Sequence, residues 1–137
     1  MSQSFWLAVL ATGLWIGSAV AQAPLQKRCG WFSNPTPGNL WLRDADGEWL
    51  IGAQGGFQTP GDWPWPEFGP QDWVTTNSGD YGYGCACFTL RVDPKSRRVL
   101  EIKTSQPRPL SACRQDPRLS PLGMWKSPLA TVRRVLQ

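Results

Sequence analysis

The residues with the clearest capacity for chemistry are the four cysteines, Cys29, Cys85, Cys87 and Cys113. Residues 84–92 have the composition of a strand, so Cys85 and Cys87 would point to the same face with Cβ atoms about 6.6 Å apart. A disulfide joins Cβ atoms about 3.8 Å apart, which excludes a bridge between these two unless the strand is broken. Two pairings remain open: Cys29–Cys85 with Cys87–Cys113, or Cys29–Cys87 with Cys85–Cys113.

The spacing of Cys85 and Cys87 argues against redox and metal chemistry. Redox pairs normally take the form Cys-x-x-Cys at the start of a helix, and structural zinc usually uses knuckles with two intervening residues. We therefore expect two structural disulfides, no metal and no cofactor. Either pairing closes one loop of about 57 residues and one of about 28, and each closure is worth about 3.5–4.2 kcal/mol. Reduction should therefore unfold so small a domain.

Histidine is absent from all 137 residues. Its absence excludes Ser-His-Asp and Cys-His catalysis and histidine metal sites. The remaining catalytic route is a carboxylate pair of the kind that hydrolyses glycosides, drawn from Asp62, Glu67, Asp72 and Asp80. Carboxylates beside prolines in a loop are more typical of a solvated surface, and so short a chain can scarcely build the cleft. The sequence therefore predicts a protein that is not an enzyme.

Aromatic residues are concentrated in residues 57–83, within a long segment rich in Gly and Pro. Ordered loops of this length are uncommon unless they serve binding. Five rings are candidates for contact with a ligand or partner: Trp63, Trp65, Trp73, Tyr81 and Tyr83. They could form an exposed platform that stacks on the sugar rings of a glycan. Alternatively, they fill a core too small to be built from aliphatic side chains, and we favour this second interpretation.

Two β-hairpins are the elements that must position these residues. Residues 44–47, Asp-Ala-Asp-Gly, separate the apolar runs 40–43 and 48–51, and Asp-Gly between such runs is a strong hairpin signal. A second hairpin is predicted from strands over 84–92 and 98–103, joined by a turn that contains Asp-Pro.

The remaining elements are shorter. Residues 29–32 are typical of a first strand, and residues 33–39, with two prolines and a glycine, of a turn. The prolines at 107 and 109 should end the sheet, and residues 110–116 could form one or two helical turns. The predicted fold is mostly β: a small disulfide-stapled domain with two hairpins, a long Gly/Pro/Trp-rich loop and a short helix near the C-terminus.

The N-terminal residues 1–21 are typical of a cleavable signal peptide. Their apolar run of about a dozen residues is short of the roughly 20 needed to span a bilayer, and Ala19-Val20-Ala21 is a pattern that signal peptidase accepts. We expect a periplasmic or secreted protein with no transmembrane segment in the mature chain. Residues 22–120 are predicted to form a single β-rich domain, and residues 121–137 a basic tail that is either a short helix or disordered.

Charge is unevenly distributed along the chain. Residues 22–90 contain three basic and seven acidic side chains, a net charge of −4, whereas residues 91–137 contain eleven basic and three acidic ones, a net charge of +8. Such asymmetry is typical of a solvated face or of two halves that attract each other, as well as of an anionic partner. We do not expect specific binding to nucleic acid.

Several motifs resemble those of one protein family. They are Arg28-Cys29-Gly30-Trp31-Phe32, Asn34-Pro35-Thr36-Pro37-Gly38-Asn39, Trp41, Asp46-Gly47-Glu48-Trp49 and Gly82-Tyr83-Gly84-Cys85-Ala86-Cys87. Together they resemble, over about residues 28–116, a domain-of-unknown-function family of small exported proteins from Gram-negative bacteria. The resemblance implies an exported, cysteine-bearing domain and implies no activity, cofactor or partner.

Two functions are compatible with these observations. The first, which we favour, is protein–protein recognition in the cell envelope by an inhibitor, immunity factor or accessory protein, because Trp and Arg are frequent interface anchors. The alternative is a module that binds a glycan such as peptidoglycan through exposed aromatic rings. The sequence leaves the partner and the oligomeric state open.

Overall fold

A computed structural model describes residues 13–14, 17–18 and 21–119 of the chain. Within these residues the protein is mostly β, as predicted, with six strands and one short helix. The elements are β1 (Gln26–Thr36), β2 (Asn39–Asp44), β3 (Gly47–Gly52), β4 (Trp73–Thr75), β5 (Gly82–Asp93), β6 (Arg98–Arg108) and α1 (Leu110–Arg114).

The sheet closes on itself. Its strand order is β1-β2-β3-β6-β5-β4, and β1 also pairs with β5, so five strands form a circuit. Four junctions in the circuit are antiparallel. The fifth is a parallel contact of β3 with β6, where Leu50 lies opposite Arg98 and its N–H donates to the Arg97 carbonyl at 2.7 Å. Because β5 returns to lie beside β1, the first three strands and β5 form a Greek key, and the whole is a small, partly open barrel.

Strand β5 is buried on both faces over most of its length. Ala86, Phe88 and Leu90 have no exposed surface and point into the main core. Cys85 belongs to a second cluster, formed with Leu110, Cys113 and Leu119 where α1 covers the barrel. This alternation is the period of two expected of a strand, and it gives β5 an inner apolar face and an outer face that carries the cysteines.

The disulfides are Cys29–Cys87 and Cys85–Cys113. The structure thus selects one of the two pairings that the sequence left open, and the strand does separate Cys85 from Cys87. Cys29 lies directly opposite Cys87 in the register of β1 and β5, with Cα atoms 4.0 Å apart. The second bridge attaches the helix to the barrel. The two bridges therefore hold the first strand and the last element to the same central strand.

Two glycines allow close approaches that a side chain would prevent. A Cβ on Gly30 would lie 1.9 Å from the carbonyl oxygen of Arg43, next to Trp31, where β1 begins to pair with β2 while still paired with β5. A Cβ on Gly84 would lie 2.6 Å from the ring of Phe68. Glycine in a strand interior marks such contacts, so these two positions set the curvature of β1 and the seat of the long loop.

Three local predictions were wrong. The turn expected over 33–39 is confined to Pro37 and Gly38, because β1 runs on to Thr36 through an irregularity in register. The prolines near 107 do not end the sheet at once. Pro107 lies in β6, opposite Ala86 of β5 and near the C-terminal end of the strand. The parallel neighbour β3 contacts β6 at its other end, at Arg98. The missing N–H of Pro107 therefore costs little. The third concerns the long irregular segment, which contains the short strand β4.

The other predicted elements are present. Both hairpins are found, β2–β3 around the Asp-Gly turn and β5–β6, and the short helix falls within the predicted range. The tail at 121–137 and all but five residues of the expected signal peptide lie outside the described residues. In the part that is described, no helix combines the length and apolar character that a membrane crossing requires.

Candidate functional site

An open groove of about 840 Å³ lies where the long loop, β4 and the turn before β5 meet. Residues 65–70 of the loop line one part of the groove, and β4 with the turn at 79–81 lines another. Its lining residues are Asn34, Trp65, Pro66, Glu67, Phe68, Gly69, Pro70, Trp73, Thr75, Gly79, Asp80 and Tyr81. A cavity of this size lies within the range of known ligand-binding clefts.

Trp65 is the most exposed ring of the groove. Its side chain keeps 45% of its surface in solvent. One contact fixes it from below, edge-on against the buried ring of Phe32 with centroids 5.0 Å apart. A second comes from Trp63, which lies nearly parallel to it at 21° and 5.6 Å. Trp65 is therefore held in one orientation while much of it remains accessible.

Trp73 and Phe68 form the base of the groove. Both are partly buried and pack against the main core, with their centroids 4.9 Å apart. The indole Nε1 of Trp73 donates to the carbonyl of Asp80 at 3.0 Å, which ties β4 to the turn that precedes β5. Pro66, on the same loop, is fully buried. The loop is thus anchored by several apolar side chains rather than lying free on the surface.

The structure separates the five aromatic residues singled out from the sequence. Trp65, Trp73 and Tyr81 line the groove, and Trp63 supports Trp65 from behind. Tyr83 lies elsewhere. It packs on the second cluster and meets Trp31 edge-on, with centroids 5.6 Å apart. Some of these rings therefore complete the core, whereas Trp65 is presented to solvent.

A polar cluster that no sequence pattern indicated stabilises the β2–β3 turn. The carboxylate of Asp44 is buried and accepts three hydrogen bonds: from Arg28 at 2.6 Å, from the backbone N–H of Asp46 at 2.9 Å and from the indole of Trp49 at 3.1 Å. Arg28 also donates to the carboxylate of Asp46 at 2.8 Å. Burial lowers the pKa of Arg28, but these bonds and charges outweigh it and hold that pKa above its ordinary value.

Two guanidinium groups enclose the ring of Trp49. Arg28 lies 4.4 Å from the ring centroid and Arg97 lies 3.7 Å from it. Arg97 also donates to the carbonyls of Glu48 at 3.1 Å and Asp46 at 2.8 Å. Cation–π contacts of this kind strengthen when the cation is removed from water. No buried polar side-chain atom in the described part of the chain lacks a hydrogen-bond partner, and we assign the cluster a structural role.

The motifs Arg-Cys-Gly-Trp-Phe and Asp-Gly-Glu-Trp meet in this cluster, because the first contributes Arg28 and the second contributes Asp46 and Trp49. No residue spacing could have revealed it, since Arg28 and Asp44 come together through the barrel.

Among the residues that the structure describes, no group of three or more potential metal ligands lies close enough to hold an ion.

Comparison with known proteins identifies the family of this chain but not its function. Residues 23–120 match the family described as "Protein of unknown function (DUF4087)". No curated protein and no solved structure matches the chain. The matched residues contain all six strands, the helix and both disulfides. Because the match covers well over half of the sequence, this chain belongs to the DUF4087 family of proteins of unknown function.

Proposed function

We propose that this protein is an exported, non-catalytic recognition domain that binds a protein partner through the groove around Trp65. The observation that carries the proposal is the state of Trp65, which is 45% exposed and yet held between Phe32 and Trp63. Burial of a large, solvent-exposed apolar ring by a partner favours binding. Tryptophan is also the residue type most enriched among interface anchors.

The rigidity of the site supports binding. An interface side chain that must be ordered on association costs about 0.5–1.5 kcal/mol. Trp65 is already oriented by two ring contacts, and the wall opposite is tied down by the hydrogen bond of Trp73 to Asp80. Most of this ordering is complete before a partner arrives, which is the condition for a preformed binding site.

Two features support action outside the cytosol and without catalysis. Two disulfides in so small a domain suit an oxidising compartment, in agreement with the signal peptide expected at residues 1–21. The chain contains no histidine, the side chain on which Ser-His-Asp and Cys-His catalysis depends. Envelope inhibitors, immunity factors and accessory proteins meet these conditions.

A photo-crosslinking experiment tests the proposal. The full precursor is expressed with a photoreactive amino acid in place of Thr75, which lines the groove, or of Thr104 on β6, which does not. Cells are fractionated and crosslinked products are identified by mass spectrometry. We expect export, a discrete protein adduct from position 75, no such adduct from position 104, and loss of the adduct when Trp65→Ala is introduced.

Leu100→Ala is the matched control, since Leu100 is also a large apolar residue, is 40% exposed and does not line the groove. The proposal fails if the adduct at position 75 survives Trp65→Ala or is lost equally in Leu100→Ala. It also fails if purified peptidoglycan retains the protein in a manner that depends on Trp65 while no protein adduct forms, since that result would identify a glycan module.

A further inference from the structure

We propose that the partner enters the groove with an extended polypeptide segment that carries lysine or arginine. This inference rests on the proposed function and goes further by stating the chemistry of the partner. It follows from the charge of the groove wall, from the absence of internal partners for those charges, and from the aromatic rings that stand beside them.

Among the residues that the structure describes, the charged side chains that line the groove are all acidic. They are Glu67 and Asp80, both exposed, and no described lysine or arginine lines it. The sequence explains this one-sided charge, because no basic residue occurs between Arg43 and Arg91. A cationic partner would therefore meet no like charge among the described residues that line the groove.

The carboxylates of this region differ from the others in the protein. Six acidic side chains accept hydrogen bonds or ion pairs: Asp44, Asp46, Glu48, Asp93, Glu101 and Asp116. Among the described residues, the remaining four have no such partner: Asp62, Glu67, Asp72 and Asp80. All four lie in the segment that builds the groove, and two of them, Glu67 and Asp80, line it. These two carboxylates are therefore available to a ligand.

The rings of the groove favour the same ligand. A cation over the face of tryptophan or tyrosine is attracted by the electrons of the ring, and the attraction strengthens as the cation is desolvated. Trp65 and Tyr81 both line the groove beside the carboxylates. The protein already makes this contact elsewhere, with Arg97 lying 3.7 Å from the ring centroid of Trp49 and Arg98 lying 4.9 Å from that of Phe57.

The walls point to a polypeptide rather than to a small cation. Between the charges, the groove presents Pro70, Phe68 and the exposed face of Trp65, which suit apolar side chains or the rings of proline. Aromatic-lined grooves commonly take extended, proline-containing peptides. A peptide that alternates cationic and apolar side chains matches both features, whereas an anionic polymer would be repelled.

The test uses two pools of synthetic decapeptides. In the first pool, four fixed positions are Lys or Arg and the others are mixed apolar residues and proline. The second pool is identical except that Asp or Glu replaces the basic residues. Binding to the mature chain, residues 22–137, is measured by tryptophan fluorescence and calorimetry at low and high salt. We expect the basic pool to bind, the acidic pool not to bind, and binding to weaken as salt is raised.

Charge variants locate the effect. Glu67→Gln with Asp80→Asn removes both groove charges and leaves the shape of the side chains unchanged, and should weaken the basic pool about three- to tenfold at low salt. Asp62→Asn is the matched control, because Asp62 is also exposed and without a partner but does not line the groove. Circular dichroism and the urea midpoint establish that each variant is folded.

The two proposals fail in different ways. If the acidic pool binds as well as the basic pool, or the double variant binds unchanged, or neither pool binds, the cationic partner is refuted. If any of these results is obtained and the protein adduct from position 75 still forms and still requires Trp65, the cationic partner is refuted but the recognition function is not. Absence of that adduct refutes the recognition function, whatever the peptides do.

Discussion

Replacing the buried Asp44 by alanine should be among the most destabilising single changes that leave the disulfides intact. The carboxylate is 7% exposed and accepts hydrogen bonds from Arg28, Asp46 and Trp49. Asp44→Ala would leave the Trp49 indole N–H and one N–H of the turn without an acceptor. It would also leave Arg28 with Asp46 as its remaining carboxylate partner, and the Asp46 side chain is 67% exposed.

The expected loss is about 3–4 kcal/mol. Removing one partner of a buried ion pair typically costs about 3–5 kcal/mol, and the surviving contact of Arg28 with Asp46 places this case toward the lower end. For a domain of about 100 residues, 1 kcal/mol moves the melting temperature by about 4–8 °C. Asp44→Ala should therefore lower it by at least about 12 °C.

Asp46→Ala is the matched control. It removes a neighbouring carboxylate that binds the same arginine from an exposed position, so it should cost less than about 1 kcal/mol. Both variants and the parent are unfolded in urea with the disulfides oxidised, and the free energies are compared at unchanged m-value. If Asp44→Ala falls within 1 kcal/mol of the parent, or if Asp46→Ala is the more damaging, the assignment of a structural role to this cluster is refuted.

Three further predictions concern the barrel. Reduction of the two disulfides should unfold the domain. The Cys29–Cys87 and Cys85–Cys113 bridges close separations of 58 and 28 residues, and these closures are worth about 4.2 and about 3.6 kcal/mol. A native near-ultraviolet circular dichroism spectrum in excess reductant would contradict this prediction. Gly84→Ala should lower the free energy of unfolding in urea by about 1–3 kcal/mol through overpacking, because the new Cβ would lie 2.6 Å from Phe68. Gly56→Ala is the control and should leave that free energy unchanged, because no atom lies nearer than 3.7 Å to its new Cβ. Hydrogen bonds from Lys103 and Arg91 lower the pKa of Glu101, so its contribution to stability is present above the unfolded-state pKa and is lost as the pH falls through the lowered folded-state pKa. Glu101→Gln should flatten that part of the pH profile of the urea midpoint, and an unchanged profile would exclude the effect.

The sequence predicted the local elements well because their signals are local. The Asp-Gly turn defines the β2–β3 hairpin, and the period of two in β5 places Cys85 and Cys87 on one face. It could not choose the disulfide pairing, since the choice depends on which cysteine of β5 lies opposite Cys29. That register is set by the whole β1–β5 ladder, which no short stretch of sequence encodes.

Closure of the barrel and the division of the aromatic residues were equally beyond the sequence. The parallel junction of β3 and β6 consists of one register pair, Leu50 opposite Arg98, with nearly fifty residues between them. Trp63, Trp65 and Trp73 lie in similar Gly/Pro-rich surroundings along the chain. Which of them faces solvent depends on the position of the ring of Phe32 under the loop. Contacts made by residues distant in sequence decided both outcomes.

The claim that the groove around Trp65 is an interaction surface is tested most directly by comparing Trp65→Ala with Trp73→Ala. For each variant, the urea midpoint and the yield of the protein adduct from position 75 are measured. Trp65 is 45% exposed, whereas Trp73 packs on the core and ties the turn through Asp80. We expect Trp65→Ala to abolish the adduct and to cost less stability than Trp73→Ala. A Trp65→Ala protein that keeps the adduct and loses as much stability as Trp73→Ala would show that Trp65 is a core residue and that the groove is not the interaction surface.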